Sequence, residues 1–300
     1  MFVYIMNNHL LISLYVILLL FANVIIMYAL YDSGYYELLY VYIVVLLCTC
    51  LFYFWNIITS FIAKIRLRNL IKMTEKNTNS VIKIIVNNSN KYIDKKIILS
   101  LDDYDTFINV LDNCNKNKKT LKLIIHSTGG IISSSDIIVN AILNHKYKIA
   151  CYIPKYANSA ATSLALACNE IYLNDNSHLS PTDPQIFDSS DETSNIYSSK
   201  ILIECLDIKK ERLREKVLLQ ALEAKVLHND NIYMMTKILK TRSIAKKNRN
   251  KILNTFTSGN FSHHYPVYFQ ELKELGINVK TPLPETIENI CQLSKDFLFI

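Results

Sequence analysis

The strongest constraint on this chain is a long stretch almost without charge. Residues 1–63 carry only Asp32 and Glu37, and the first cation is Lys64. Two apolar runs fill the stretch: Leu10 to Tyr31, 22 residues, and Leu38 to Ala63, 26 residues. Roughly 20 apolar residues cross a bilayer core as a helix, so both runs are long enough. Asp32-Ser33-Gly34 lies between them as turn chemistry. Tyr35, Tyr36, Tyr53 and Trp55 suit interfacial positions. The pattern predicts a transmembrane helical hairpin, with spans at about 10–31 and 38–63, inside an anchor domain of residues 1–72. One span followed by a buried or interfacial helix is the alternative. A cleaved signal peptide is not expected, because there is no basic start and no small-residue cleavage site.

Lys64, Arg66, Arg68 and Lys72 directly follow the second run. Positive charge collects on the cytoplasmic side of spans, so the body at 73–300 is expected in the cytoplasm. The whole chain carries +7 and the first 63 residues −2, which leaves +9 on the remainder. Part of that excess sits at Lys209–Arg214 and Thr241–Lys251. No aromatic platform is interleaved there, so these stretches read as solvated helix faces or surfaces near anionic lipid, and no nucleic-acid partner is expected. The seven cysteines, at 48, 50, 114, 151, 168, 205 and 291, form no CxxC and no zinc-spaced set with histidine. They read as reduced thiols, and neither a metal nor a cofactor is expected.

From about residue 73 short apolar strands alternate with helical segments. Strands are expected at Val81–Val86, Lys96–Leu99, Leu121–Ile125, Ile149–Ile153 and Ile171–Leu173. Helices are expected from Leu101 to about Cys114, over 132–144, and from Ser159 to Cys168. This alternation predicts an α/β layer with parallel strands, and the chain after about Ser199 reads as mostly helical.

Glycine is scarce, only 5 in 300 residues, and neither GxxxxGK[ST] nor GxGxxG occurs, so phosphate-cradling loops of those types are excluded. Two of the five stand together in His126-Ser127-Thr128-Gly129-Gly130, at the end of a predicted buried strand. A Gly-Gly turn there can aim backbone N–H groups at a developing oxyanion, or it can be just a tight turn. After the next strand comes Tyr156-Ala157-Asn158-Ser159-Ala160-Ala161-Thr162. Serine at a strand-to-helix junction can present its hydroxyl where the helix dipole favours negative charge, or it can serve as an N-cap. Leu179-Ser180-Pro181-Thr182-Asp183-Pro184-Gln185 holds Asp183 between two prolines. Ser262-His263-His264-Tyr265-Pro266 places two histidines in an aromatic loop, as a base or as surface residues.

Together these motifs resemble the serine-dehydrogenase-proteinase family of membrane-anchored, Clp-fold serine peptidases, relatives of ClpP and of the signal peptide peptidase SppA. That family shows HTPGG where this chain has residues 126–130, and A-x-S-[AG]-G-T where it has 157–162. Its ALAxDEI and LGPxDPQ are matched by 165–171 and 179–185, and its THDYP by 262–266. The resemblance covers about residues 80–285 in order. It implies an α/β, ClpP/crotonase-like fold of ββα units with a helical C-terminal part, and a homo-oligomer. It implies hydrolysis of peptide or protein substrates, with Ser159 as nucleophile and the N–H groups of Gly130 (or Gly129) and Ala160 as oxyanion hole.

The base stays open between two residues. His263 occupies the histidine of THDYP, although His264 replaces the following Asp. Lys200, 41 residues after Ser159, resembles the lysine placement of the Ser-Lys relatives. Asp183 would orient or balance either base. Ala161 and Ser180 stand where the family pattern has glycine, and both are expected to add bulk near the cleft. A catalytically inactive Clp-fold membrane scaffold is therefore the alternative function. Acyl-CoA chemistry on a crotonase-like fold is a further rival, and a serine at the helix start speaks against it.

Overall fold

The computed structural model describes residues 23–87, 101–188, 195–209 and 214–298. The strand expected at Lys96–Leu99 and most of the first apolar run lie outside them. The chain divides into two compact units, one ending at Ile65 and the other running from Arg66.

In the first unit, residues 23–32 (α1) are helical and turn at Ser33-Gly34. Helix α2 (Tyr36–Thr78) then runs 43 residues; its part up to Ile65 belongs to the first unit and the rest, from Arg66, to the second. Its apolar part is long enough to cross a membrane and is unburied. One such helix is therefore described; a hairpin of two spans is not shown.

The second unit is built on one sheet. In chain order its elements are β1 (Ser80–Asn87), α3 (Leu101–Asn117), β2 (Thr120–Ser127), α4 (Ile132–Asn144), β3 (Ile149–Ile153), β4 (Tyr156–Ala157), α5 (Ala160–Ala167), β5 (Glu170–Leu173) and β6 (His178–Leu179). A hairpin of β7 (Gln185–Asp188) and β8 (Asn195–Ser198) follows, then α6 (Ser199–Lys209), α7 (Glu215–Thr241) and α8 (Lys246–Phe256). The chain closes with β9 (Val267–Tyr268), α9 (Phe269–Glu274), β10 (Val279–Lys280) and α10 (Glu285–Leu298).

The sheet order is β10-β5-β3-β2-β4-β6-β9, with β1 also paired to β2. All these pairs are parallel except β6–β9. β3 and β4 lie successively along β2, separated by Pro154 and Lys155. Proline lacks the N–H that a continuous ladder needs, so the strand breaks there. β5 accordingly continues the sheet from β3, while β6 continues it from β4.

Both faces of the sheet are covered, which is why its strands read as nearly continuous apolar runs, interrupted by Lys83 in β1 and Lys122 in β2. Leu121, Leu123 and Ile125 of β2, with Ile149, Cys151 and Ile153 of β3, pack on one side with Phe107, Ile138, Leu164 and Met235. Ile124, Ala150 and Tyr152 point to the other side, against Ile287, Ile290 and Cys291 of α10 and Leu67, Leu70 and Ile71. The alternation is the period of two that a pleated strand imposes. Helix α3 presents Phe107, Leu111 and Cys114 at helical spacing. A third, smaller cluster joins the β7–β8 hairpin to α6 and α7 through Ile186, Leu202, Ala221 and Ala224.

Leu123 lies at the centre of β2 and is fully buried. Leu123→Ala is expected to lower unfolding free energy by about 2–5 kcal/mol, read as a lower denaturation midpoint.

Candidate active site

The motifs picked out in the sequence converge through strand order. Gly129-Gly130 follows β2, Ser159 follows β4 and Asp183 follows β6, and these three strands are adjacent and parallel. Their C-terminal ends therefore share one edge. β9 is next to β6 and antiparallel to it, so the residues that lead into β9 lie at that same edge. His263 is in that lead-in.

Ser159 is the residue before α5 and adopts φ 52, ψ −125. Positive φ in a non-glycine residue is uncommon and costs about 1–3 kcal/mol, so neighbours must hold it. Asn158 N donates to Ser127 O at 2.9 Å, Ala161 N to Asn158 O at 3.0 Å, and Thr162 N to Ser159 O at 2.9 Å. Ser159 N donates to Ser180 Oγ at 3.1 Å. Ser159 stands at the N-cap position of α5, but its side chain makes no cap hydrogen bond. A sharp strand-to-helix turn of this kind is what lifts a serine hydroxyl out of its backbone.

Gly129 closes on this turn. Its φ is +113, and a Cβ there would meet Ser159 Cβ at 2.8 Å and Asn158 O at 2.9 Å. Its own N–H is taken by Ser127 Oγ at 3.1 Å. Of the first three N–H groups of α5, those of Ala161 and Thr162 are engaged as above, which leaves Ala160 N at the helix start.

Asp183 and His263 are in direct contact. His263 Nδ1 lies 2.8 Å from Asp183 Oδ1. The Asp183 side chain is 1% exposed and that of His263 18%. A buried carboxylate needs partners, and Asp183 Oδ2 accepts from Gln185 Nε2 at 2.8 Å and Ser198 Oγ at 3.3 Å. Thr182 N donates to Phe256 O at 2.6 Å, which ties the Asp183 segment to the end of α8, where the His263 loop begins. Helix α7 backs the segment, with Asn231 Oδ1 3.2 Å from Thr182 Oγ1.

Lys200 stands apart from this pair. Its ammonium donates to Asn260 Oδ1 at 2.6 Å and lies 3.6 Å from Glu204. Its side chain is 33% exposed. Its Cβ packs where a Gly259 Cβ would be, at 2.8 Å, so Lys200 fastens the His263 loop to the start of α6. His126 is 1% exposed, and its ring lies tilted against that of Tyr156, with centroids 4.3 Å apart. Burial, with Lys155 adding to it, pushes its imidazole down to about 4. It is therefore neutral near pH 7.

Sequence reasoning missed the contacts of Ser180, Gln185 and Ser198. Ser180 was expected to add bulk near the cleft; it is fully buried beside Ser159 and also accepts a hydrogen bond from the Ser159 amide. Gln185 and Ser198 face each other across the β7–β8 register, and nothing in their sequence spacing signals Asp183 as a shared partner.

A family model for ClpP-like SDH-type serine proteinases matches residues 24–298. The chain belongs to this family. Two proteins of Methanocaldococcus jannaschii are similar to it. The uncharacterized protein MJ1495 is 31% identical over 173 residues, which is 58% of this chain and 56% of that protein. The uncharacterized protein MJ0137 is 27% identical over 198 residues, 66% of each. The chain thus spans between half and two thirds of these curated relatives. Among solved structures, a mutant of the 1510-N membrane-bound stomatin-specific protease aligns at TM-score 0.47 and 13% identity, covering 71% of this chain and 83% of that one. A second mutant of that protease, in complex with a substrate peptide, aligns at 0.47 and 14%, covering 69% and 77%. The fold is the α/β ClpP-like one, with a mixed sheet.

Gly129→Ala adds a Cβ against backbone at a positive φ. It is expected to destabilise the second unit by about 1–3 kcal/mol, measured as a thermal midpoint lower by several degrees.

Proposed function

We propose that the chain is a membrane-anchored serine peptidase that hydrolyses peptide bonds through an acyl-enzyme on Ser159. The observation that carries this reading is the buried Asp183 bonded to His263 at the sheet edge where Ser159 also stands. Ser180 binds the Ser159 amide and Asp183 binds His263. Two residues separate Ser180 from Asp183, so their Cα atoms are at most about 11 Å apart.

In this reading the Nδ1 proton of His263 points at Asp183, which leaves Nε2 as the proton acceptor. Nε2 takes the Ser159 hydroxyl proton as Oγ attacks the substrate carbonyl carbon. The carbonyl oxygen becomes an oxyanion facing the N–H groups of Gly130 and Ala160. Collapse breaks the C–N bond, and His263 returns the proton to the leaving amine. Water then attacks the acyl-enzyme with His263 again as base, releasing the acid and restoring Ser159. Gly130 is favoured over Gly129 because Gly129 N is occupied by Ser127 Oγ.

Lys200 is the competing base. To act, its ammonium would have to leave Asn260 and Glu204 and lose a proton. The substrate is a peptide or protein, and the body works as a homo-oligomer. It is anchored by two spans, with membrane lipid around them and the catalytic unit on the cytoplasmic side.

Labelling by a fluorophosphonate tests the assignment. Ser159→Ala is expected to abolish it and His263→Ala to slow it by about 10³-fold or more, whereas Lys200→Ala retains it within about tenfold. Unchanged labelling of Ser159→Ala would support the inactive-scaffold alternative. Loss in Lys200→Ala with retention in His263→Ala would transfer the base role to Lys200.

A further inference from the structure

We propose that Ser180 is a positioning residue for acylation: its hydroxyl holds the Ser159 amide and so fixes the direction in which Ser159 Oγ is presented. The inference rests on Ser159 being the nucleophile.

Ser159 has the strained dihedrals φ 52 and ψ −125. Its carbonyl is held from α5 by Thr162 N, but its amide points away from that helix and meets Ser180 Oγ at 3.1 Å. Ser180 is 0% exposed, so the acceptor itself is sheltered from solvent. The hydroxyl itself is oriented, with Pro181 O 3.4 Å away as acceptor. The Ser180 backbone is pinned as well. Its N–H donates to Thr162 Oγ1 at 3.2 Å, and its carbonyl lies 2.8 Å from the same hydroxyl. Thr162 Oγ1 also lies 2.7 Å from Ala157 O. Residues 157, 159, 162 and 180 therefore form one stitched turn around the serine.

The contact has a second chemical effect. With Ser159 N engaged, the N–H next along the chain, that of Ala160, remains to meet an oxyanion. A glycine at position 180 has no side chain to do this. The serine is therefore a built contact in this chain and not merely added bulk.

The test uses the full-length protein in detergent and the rate of fluorophosphonate inactivation. Ser180→Ala is expected to lower the maximal inactivation rate about 2- to 10-fold while the reagent's half-saturating concentration stays within about twofold. Ser180→Cys, a weaker acceptor of similar shape, is expected to fall between wild type and Ala. Ser180→Gly, the residue of the family pattern, also removes the acceptor; it is expected to show the same 2- to 10-fold loss and carries the test if Ala does not fold. Hydrogen exchange of the Ser159 amide gives a readout independent of activity, and faster exchange is expected in Ala and Gly. A maximal rate equal to wild type in both variants, or unchanged Ser159 amide protection, overturns the proposal. A wild type that does not label, or a Ser159→Ala that does, overturns the nucleophile reading instead, and amide exchange still decides the Ser180 contact.

Discussion

The site depends on one reversal of strand direction. β2, β4 and β6 run parallel, so each delivers the loop that follows it to the same sheet edge. β9 joins β6 antiparallel, so the loop that precedes it arrives at that edge too. Without this reversal Asp183 and His263, 80 residues apart in sequence, would lie at opposite ends of neighbouring strands. The break at Pro154 is equally necessary. It splits one strand into β3 and β4 and lets β6, with the Asp183 segment behind it, lie next to the strand that feeds Ser159.

Several polar groups at this edge are buried and partnered, although Asn158 Oδ1 and Asn231 Nδ2 have no partner among the described residues. Asp183 receives three side-chain contacts, and the Ser159 amide goes to a hydroxyl instead of to water. Each such contact contributes about 0.5–1.5 kcal/mol net, but a missing one costs more because the buried group stays unsatisfied. That asymmetry makes the loops precise even though they lack regular structure. The strain at Ser159, about 1–3 kcal/mol, is of the size that two or three such bonds offset.

Much of the scaffold was legible in the sequence. Val81–Val86, Leu121–Ile125 and Ile149–Ile153 announced strands because both sheet faces are covered and all but Lys83 and Lys122 are apolar. Phe107 and Leu111 announced α3 by spacing, although α3 continues past the expected end to Asn117. The four site segments were visible because glycine, proline and small residues cluster there against a background poor in glycine. Partners were not visible. Whether Asp183 meets His263 or Lys200 depends on strand order, which local pattern does not encode. The Ser180 contact was missed for the same reason: volume can be read from a residue type, but the amide its hydroxyl will meet cannot. Of the expected membrane hairpin, one long apolar helix, α2, is described, and two spans are not shown.

The central claim is that Ser159 Oγ attacks a carbonyl whose oxygen rests between the loops after β2 and β4. A crystal structure of the full-length protein after fluorophosphonate treatment tests it most directly. The account predicts phosphorus bonded to Ser159 Oγ, with the phosphonyl oxygen about 2.7–3.1 Å from the N–H groups of Gly130 and Ala160. An adduct on another residue, or a phosphonyl oxygen turned away from both amides, would contradict it.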